Sequence, residues 1–357
     1  MAKTTRLGAV SFLMLSLLGW SGFGTAYAGG LVDEAKVQRG RSAAMVPLLE
    51  AMARNPEVFD EATLGSYQAT LGAFKNNALG RDEGVQIAHF QACAALFANV
   101  ARQPEVADSL SQLLRHVSGT AQAYRYLTPA GEAERMAAIG VLFASVARQP
   151  EATAELNDLA TLFCGTIDEF GPLRAQGRIA RLQATGVLID SIARQPEMAG
   201  TLSALAVTYL GATDSAASAT PAVRAARFAV IGSLCDTIAG QPEAAPSIVA
   251  AARQFCGPAH AAADRRSAEA MAAYMRAVGG MLESIAMSPD AADAITAAFA
   301  ELSGGPFAGV IELPAARGAA LETLGVMARG VSRNPELKAT LEALFTTYTG
   351  CVILPGA

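Results

Sequence analysis

An all-α fold, an α-solenoid of seven αα-hairpin repeats of about 46 residues behind a cleaved signal peptide, is what the sequence predicts, and three observations carry it. A short proline motif returns seven times at nearly constant spacing, with prolines at Pro56, Pro104, Pro150, Pro196, Pro242, Pro289 and Pro335, which are 48, 46, 46, 46, 47 and 46 residues apart. Apolar residues keep helical spacing on both sides of every proline. The chain of 357 residues is 52% hydrophobic and only 17% charged, enough to bury a large core and unlike a disordered segment.

The first element is the leader. Lys3 and Arg6 precede an apolar stretch from Leu7 to Trp20, and Ala26-Tyr27-Ala28 supplies a small-residue cleavage site. Residues 1–28 therefore read as a secretory signal peptide and 29–357 as one repeat domain. The apolar stretch is too short for a membrane span and no second one follows, which predicts an exported protein, periplasmic or extracellular and of bacterial type. Cleavage would change the formal charge from −5 to −7, which excludes an overall basic nucleic-acid binder. It would also remove Trp20, the one tryptophan.

Helix A of each repeat ends at the motif. Eight residues before the proline stand Leu48, Leu96, Leu142, Leu188, Leu234, Met281 and Met327; four before it stand Met52, Val100, Val146, Ile192, Ile238, Ile285 and Val331. Position −11 is mostly apolar as well, and steps of three and four trace one helix face. Position −10 is glycine in five copies (Gly140, Gly186, Gly232, Gly279, Gly325). A glycine inside a helix costs up to about 1 kcal/mol against alanine, so its recurrence predicts close approach by a neighbouring helix backbone.

The turn follows. Arg54, Arg102, Arg148, Arg194 and Arg333 close helix A at its negative end, helped by i,i+4 partners such as Glu50 with Arg54 and Asp190 with Arg194. Proline fits the first position of the next helix, where its missing N–H has no intrahelical partner. The acid after it (Glu57, Glu105, Glu151, Glu197, Glu243, Asp290, Glu336) suits the positive end of that helix.

Helix B carries Leu110, Leu156, Leu202, Ile248, Ile295 and Leu341 at +6, leucines at +9, and Phe163, Tyr209, Phe255 and Tyr348 at +13. Looser connections such as Gly211 to Pro221 and Gly304 to Pro314 lead to the next copy. One hairpin cannot bury both apolar faces alone, so the copies must stack. In period and helix pattern, residues 36–352 resemble the HEAT and armadillo class of α-solenoids, without the third helix of an armadillo repeat. That resemblance implies a scaffold that binds partners along an extended surface.

Catalytic and metal-binding signatures are scarce. The cysteines, Cys93, Cys164, Cys235, Cys256 and Cys351, are odd in number. Cys164 and Cys256 share a repeat position two copies apart, and Cys235 and Cys256 are unevenly placed about their turn, so buried free thiols are expected over disulfides. His89, His116 and His260 lie in three different repeats without further ligands at helical spacing, so no metal site and no cofactor is expected. Acids such as Asp60 and Glu61 or Asp168 and Glu169 read as helix-end and loop charges.

A second set of arginines lies near the start of helix A: Arg39 and Arg41, then Arg135, Arg174, Arg178, Arg181, Arg224, Arg227, Arg265 and Arg266, then Arg317. Cations at a helix N-terminus oppose its dipole, so local helix stability does not account for them. One reading aligns those from Arg135 to Arg266 along an edge that captures acidic groups of a protein, glycan or lipid head group. The other pairs them with nearby acids such as Glu132, Glu134 and Asp264.

The expected function is thus a non-enzymatic scaffold binding a protein or other acidic macromolecule in the cell envelope, with an oligomer possible through the C-terminal repeat. Two alternatives stand beside it. Seven hairpins could close into an α/α toroid acting on polysaccharide, against which the missing mature tryptophan and the evenness of the repeats count. They could also build a self-assembling surface protein, to which the apolar end Cys351-Val352-Ile353-Leu354 would contribute.

Overall fold

The computed structural model describes residues 31–352 apart from 76, 212–218, 258, 260 and 307–311. Residues 1–28, read from the sequence as a signal peptide, His260, Ile353 and Leu354 lie outside the described residues, as does part of the connections after Gly211 and Gly304.

The described residues are all-helical, without a strand, and follow one another as seven pairs along the chain, all but the first packed together within the pair: α1 (Leu31–Arg54) with α2 (Glu61–Leu71), α3 (Glu83–Val100) with α4 (Ala107–Ser118), α5 (Pro129–Arg148) with α6 (Thr153–Cys164), α7 (Ala175–Arg194) with α8 (Ala199–Leu210), α9 (Pro221–Gly240) with α10 (Ala245–Cys256), α11 (Ala268–Met287) with α12 (Ala292–Ser303), and α13 (Pro314–Arg333) with α14 (Lys338–Thr349). Odd-numbered helices are the A helices of the repeat and even-numbered ones the B helices.

The turn between the two is built the same way in each hairpin. The residue before proline is held off the helical region by the pyrrolidine ring; Gln149, for example, has φ −134° and ψ 76°. Its N–H still bonds back into helix A, to the Ser145 carbonyl at 3.0 Å. Pro-Glu-X then makes a single 3₁₀ turn, and helix B proper starts three residues after the proline, later than the sequence pattern suggested. The first hairpin departs most: after Pro56–Val58 the chain restarts at Asp60, whose carboxylate caps the Thr63 N–H at 2.8 Å.

Stacking runs from helix A to helix A. α1 packs on α3, α3 on α5, α5 on α7, α7 on α9, α9 on α11 and α11 on α13. Among the described residues no substantial packing joins the first hairpin to the last. The predicted apolar positions fill the core: Leu96, Leu142, Leu188 and Leu234 on the A helices, and Leu110, Leu156, Leu202 and Phe163 on the B helices, are buried.

The glycines at −10 divide. A Cβ on Gly232 would lie 3.2 Å from Ala277 Cα, and one on Gly140 would lie 3.6 Å from Ala184 Cα, so at these two the next A helix does approach closely. Gly186 has open space instead. Polar side chains add to the stack: Thr237 donates to Asp190 at 2.8 Å and Arg276 pairs with Glu322 at 3.2 Å, each across neighbouring hairpins. Asp190 thus serves the next hairpin, while the expected Glu50–Arg54 pair forms at 3.1 Å. No helix among the described residues is long and apolar enough to cross a membrane.

Candidate functional site

Counted from the turn proline, position −15 of the A helix is Arg41, His89, Arg135, Arg181, Arg227, Tyr274 and Ala320 in successive hairpins. Antiparallel pairing puts this position beside the C-terminus of the B helix, whose last carbonyls have no helical partner and carry the negative end of the dipole. Arg135 donates from Nε to the Cys164 carbonyl at 2.7 Å and from Nη2 to the Gly165 carbonyl at 2.6 Å. Arg227 repeats the fork on Cys256 and Gly257, at 3.2 and 3.1 Å, and also reaches the Leu302 carbonyl of the following hairpin. Arg181 contacts the Gly211 carbonyl at 3.4 Å. The fork needs the glycine: Gly165 has φ 65° and ψ 164°, a conformation essentially reserved for glycine, and glycine closes the B helix in every hairpin.

Arg135, Arg181 and Arg227 are therefore buried and do not belong to an exposed basic edge, which corrects the expectation for these three. A cation that opposes the dipole of its own helix is favoured by the opposite end of its partner. Burial lowers the Arg135 pKa to about 10, so it stays charged at neutral pH, and its guanidinium lies 4.4 Å from the centre of the Phe170 ring.

His89 is the neutral counterpart. Its Nε2 lies 2.9 Å from the Phe163 carbonyl of the next hairpin and its Nδ1 lies 2.8 Å from Ser118 Oγ. A carbonyl only accepts, so Nε2 carries the proton and Nδ1 accepts from the serine. The ring stacks on Tyr124 with centroids 3.9 Å apart, and burial pushes its pKa down to about 4.

Three residues earlier, at −18, the side chain holds the N-terminus of the next A helix. Gln86 accepts from the Thr128 N–H at 2.8 Å, and Glu132 accepts from the Arg174 N–H at 2.9 Å. Arg174 returns an ion pair to Glu132 at 3.3 Å, and Arg224 pairs with Asp264 at 3.2 Å. For these two the pairing with nearby acids is what the structure contains. Arg178 donates to the Leu173 carbonyl at 3.1 Å and is half-buried. Arg265 and Arg266 are exposed on the turn after the single helical turn Ala261–Asp264. Of the turn-motif arginines, Arg54, Arg102, Arg148, Arg194 and Arg333 are all exposed at the opposite edge.

Between the fifth and sixth hairpins the ladder changes composition. Met271 replaces the polar residue at −18 and Tyr274 the arginine at −15, and a shallow cleft open to solvent lies there, its enclosed volume about 20 Å³. Phe228, Met271 and Tyr274 give it an apolar floor, Gly304, Gly305 and Pro306 a backbone wall, and Asp264 and Arg265 a charged mouth. The Ser303 hydroxyl also lines it, is buried, and has no hydrogen-bond partner. Its enclosed volume is on the order of one water molecule, far below the range for whole small molecules, so only the end of a side chain or a small polar group would enter it. Among the described residues no cluster of three or more His, Cys, Asp or Glu could hold a metal ion.

Two features escaped the sequence reading. The closing glycine, fifteen residues after the proline from Gly119 onward, was visible as a repeat. The juxtaposition of Cys93 and Cys164 across hairpins required combining position −11 of one copy with +14 of the next. Comparison of the chain with protein-family models, curated proteins and solved structures finds no match.

Proposed function

We propose that the chain is an exported, non-enzymatic helical-repeat scaffold, an open solenoid, that binds an acidic group of a macromolecule at the cleft between the fifth and sixth hairpins. The observation that carries this reading is the unbroken A-to-A stacking from α1 to α13, which spreads seven hairpins into one extended surface of the kind that binds partners. A closed toroid acting on polysaccharide would need its first and last hairpins to pack, and the described residues favour the open array. Export rests on the segment from Lys3 to Ala28.

The buried arginines serve the fold, which narrows the recognition surface to the groups that face solvent. At the cleft Arg265 supplies positive charge, with the exposed Arg266 next to it in sequence, the Ser303 hydroxyl supplies a hydrogen bond, and the ring of Tyr274 with Met271 supplies an apolar seat. A carboxylate next to an apolar side chain, as on an acidic protein segment, matches all three.

The test is fluorescence anisotropy of a labelled acidic peptide containing Glu-Phe repeats, beside anionic vesicles and a uronic-acid oligosaccharide, at low and at 0.5 M salt. The peptide is expected to bind in a salt-sensitive way, at least about tenfold more weakly to an Arg265→Ala/Arg266→Ala variant, a loss of about 1.4 kcal/mol. Equal binding by variant and wild type refutes the site; preference for the oligosaccharide refutes the choice of partner.

A further inference from the structure

Cys93 lies on α3 in the second hairpin and Cys164 closes α6 in the third, and both are fully buried. α3 and α6 pack directly on each other. Cys93 Sγ is 3.5 Å from His89 Nε2, which in turn is bonded to the carbonyl of Phe163, the residue before Cys164. Burial first, and then the neighbouring Cys164 thiol, push the Cys93 thiol up. The Cys164 backbone is fixed at the same point by Arg135. All five cysteines are unpaired in the structure, and this pair is held together from both sides.

We propose that Cys93 and Cys164 form a dithiol pair that closes into a disulfide when the chain folds in the presence of a low-molecular-weight disulfide, stapling the second hairpin to the third. The Cys93 thiol loses its proton and attacks one sulfur of the reagent, releasing one reagent thiol and leaving a mixed disulfide. The Cys164 thiol then loses its proton and attacks the Cys93 sulfur, releasing the second reagent thiol. The chain gives up two protons and two electrons, and the reagent disulfide is reduced to two thiols. In the folded protein the pair is shielded from reagent and, as burial raises the Cys93 thiol, poorly nucleophilic. Exchange therefore belongs to the folding chain, before packing covers the pair.

The pairing is specific. The only other cysteines at comparable depth, Cys235 and Cys256, lie in the fifth hairpin. The staple would join residues 71 apart in sequence and tie two hairpins that otherwise meet through packing, the His89 bond and the Gln86 bonds to Thr128.

The experiment refolds the reduced full-length chain in oxidised and reduced glutathione, or in dithiothreitol, then alkylates it in denaturant and weighs it. The dithiothreitol sample, with its five cysteines, is expected to take five groups. The glutathione sample is expected to take three and to yield a proteolytic fragment linking Cys93 to Cys164, with a higher Tm that dithiothreitol abolishes. A Cys93→Ala chain is expected to take four groups under both conditions, with one Tm. Five groups on the glutathione-refolded wild type, or a link between any other two cysteines, overturns the proposal; neither result depends on the variant folding.

Discussion

Acid acts on this fold through His89. Inside the protein its pKa is about 4, against about 6.5 in an unfolded chain. The unfolded chain takes up the proton first, so the stability tied to the neutral ring is complete above about pH 6.5 and is lost as the pH falls toward 4. The full difference corresponds to about 3 kcal/mol, of which about 2 kcal/mol is gone by pH 5. The cause is physical: a charged imidazole between Tyr124, Ser118 and the Phe163 carbonyl would lose its hydration, and its Nδ1 proton would face the serine that now donates to it. Replacing His89 by Gln keeps a neutral polar group and removes the titration. Urea unfolding of both chains at pH 7.5 and pH 5 cancels the carboxylates they share. The advantage of wild type over His89→Gln is expected to shrink by about 2 kcal/mol between the two pH values. In parallel, the NMR titration of the His89 ring, assigned by its absence from the variant, is expected to have its midpoint near pH 4. A midpoint above about 6, near the unperturbed value, would refute the reasoning, as would an advantage that does not change with pH.

Arg135→Met leaves the Cys164 and Gly165 carbonyls unbonded in the core and is expected to cost about 2–4 kcal/mol in chemical denaturation, with Arg135→Lys giving little rescue because an ammonium cannot fork. Gly232→Ala, whose Cβ meets the Ala277 backbone, is expected to destabilise by about 1–3 kcal/mol, whereas Gly186→Ala, in open space, is expected to stabilise by up to about 1 kcal/mol; thermal unfolding of the two variants decides. In the reduced native protein a colorimetric thiol reagent is expected to react promptly with Cys351 alone, which is half-buried, while Cys93, Cys164, Cys235 and Cys256 wait for unfolding.

The helices and their buried faces were legible because each depends on neighbours within one hairpin: Leu142 and Val146 must share a face whatever lies opposite, and Pro150 must end one helix and begin another. The fate of the arginines was not, because Arg135 and Arg174 look alike as sequence. What separates them is what the packed hairpins set opposite each: the C-terminus of helix B against Arg135, and Glu132 and the solvent against Arg174 at the start of its helix. The same holds for Gly140 and Gly186, alike in the repeat, of which one meets an alanine backbone and the other open space. Cys164 was compared only with Cys256, and Cys93 with no other cysteine, since their proximity runs between unlike positions of adjacent copies.

His89 and Arg227 each bond a carbonyl belonging to the hairpin after their own, Phe163 in one case and Leu302 in the other. Under tension this makes the chain an uneven spring. Pulled from its two ends, a stack held by neighbour contacts sheds hairpins one at a time, each lengthening the tether by about 15 nm for its 46 or so residues. Gln38, Tyr209 and Thr323 clasp further junctions in the same way, on the carbonyls of Val117, Asn157 and Met275, so successive hairpins are expected to part at unequal forces.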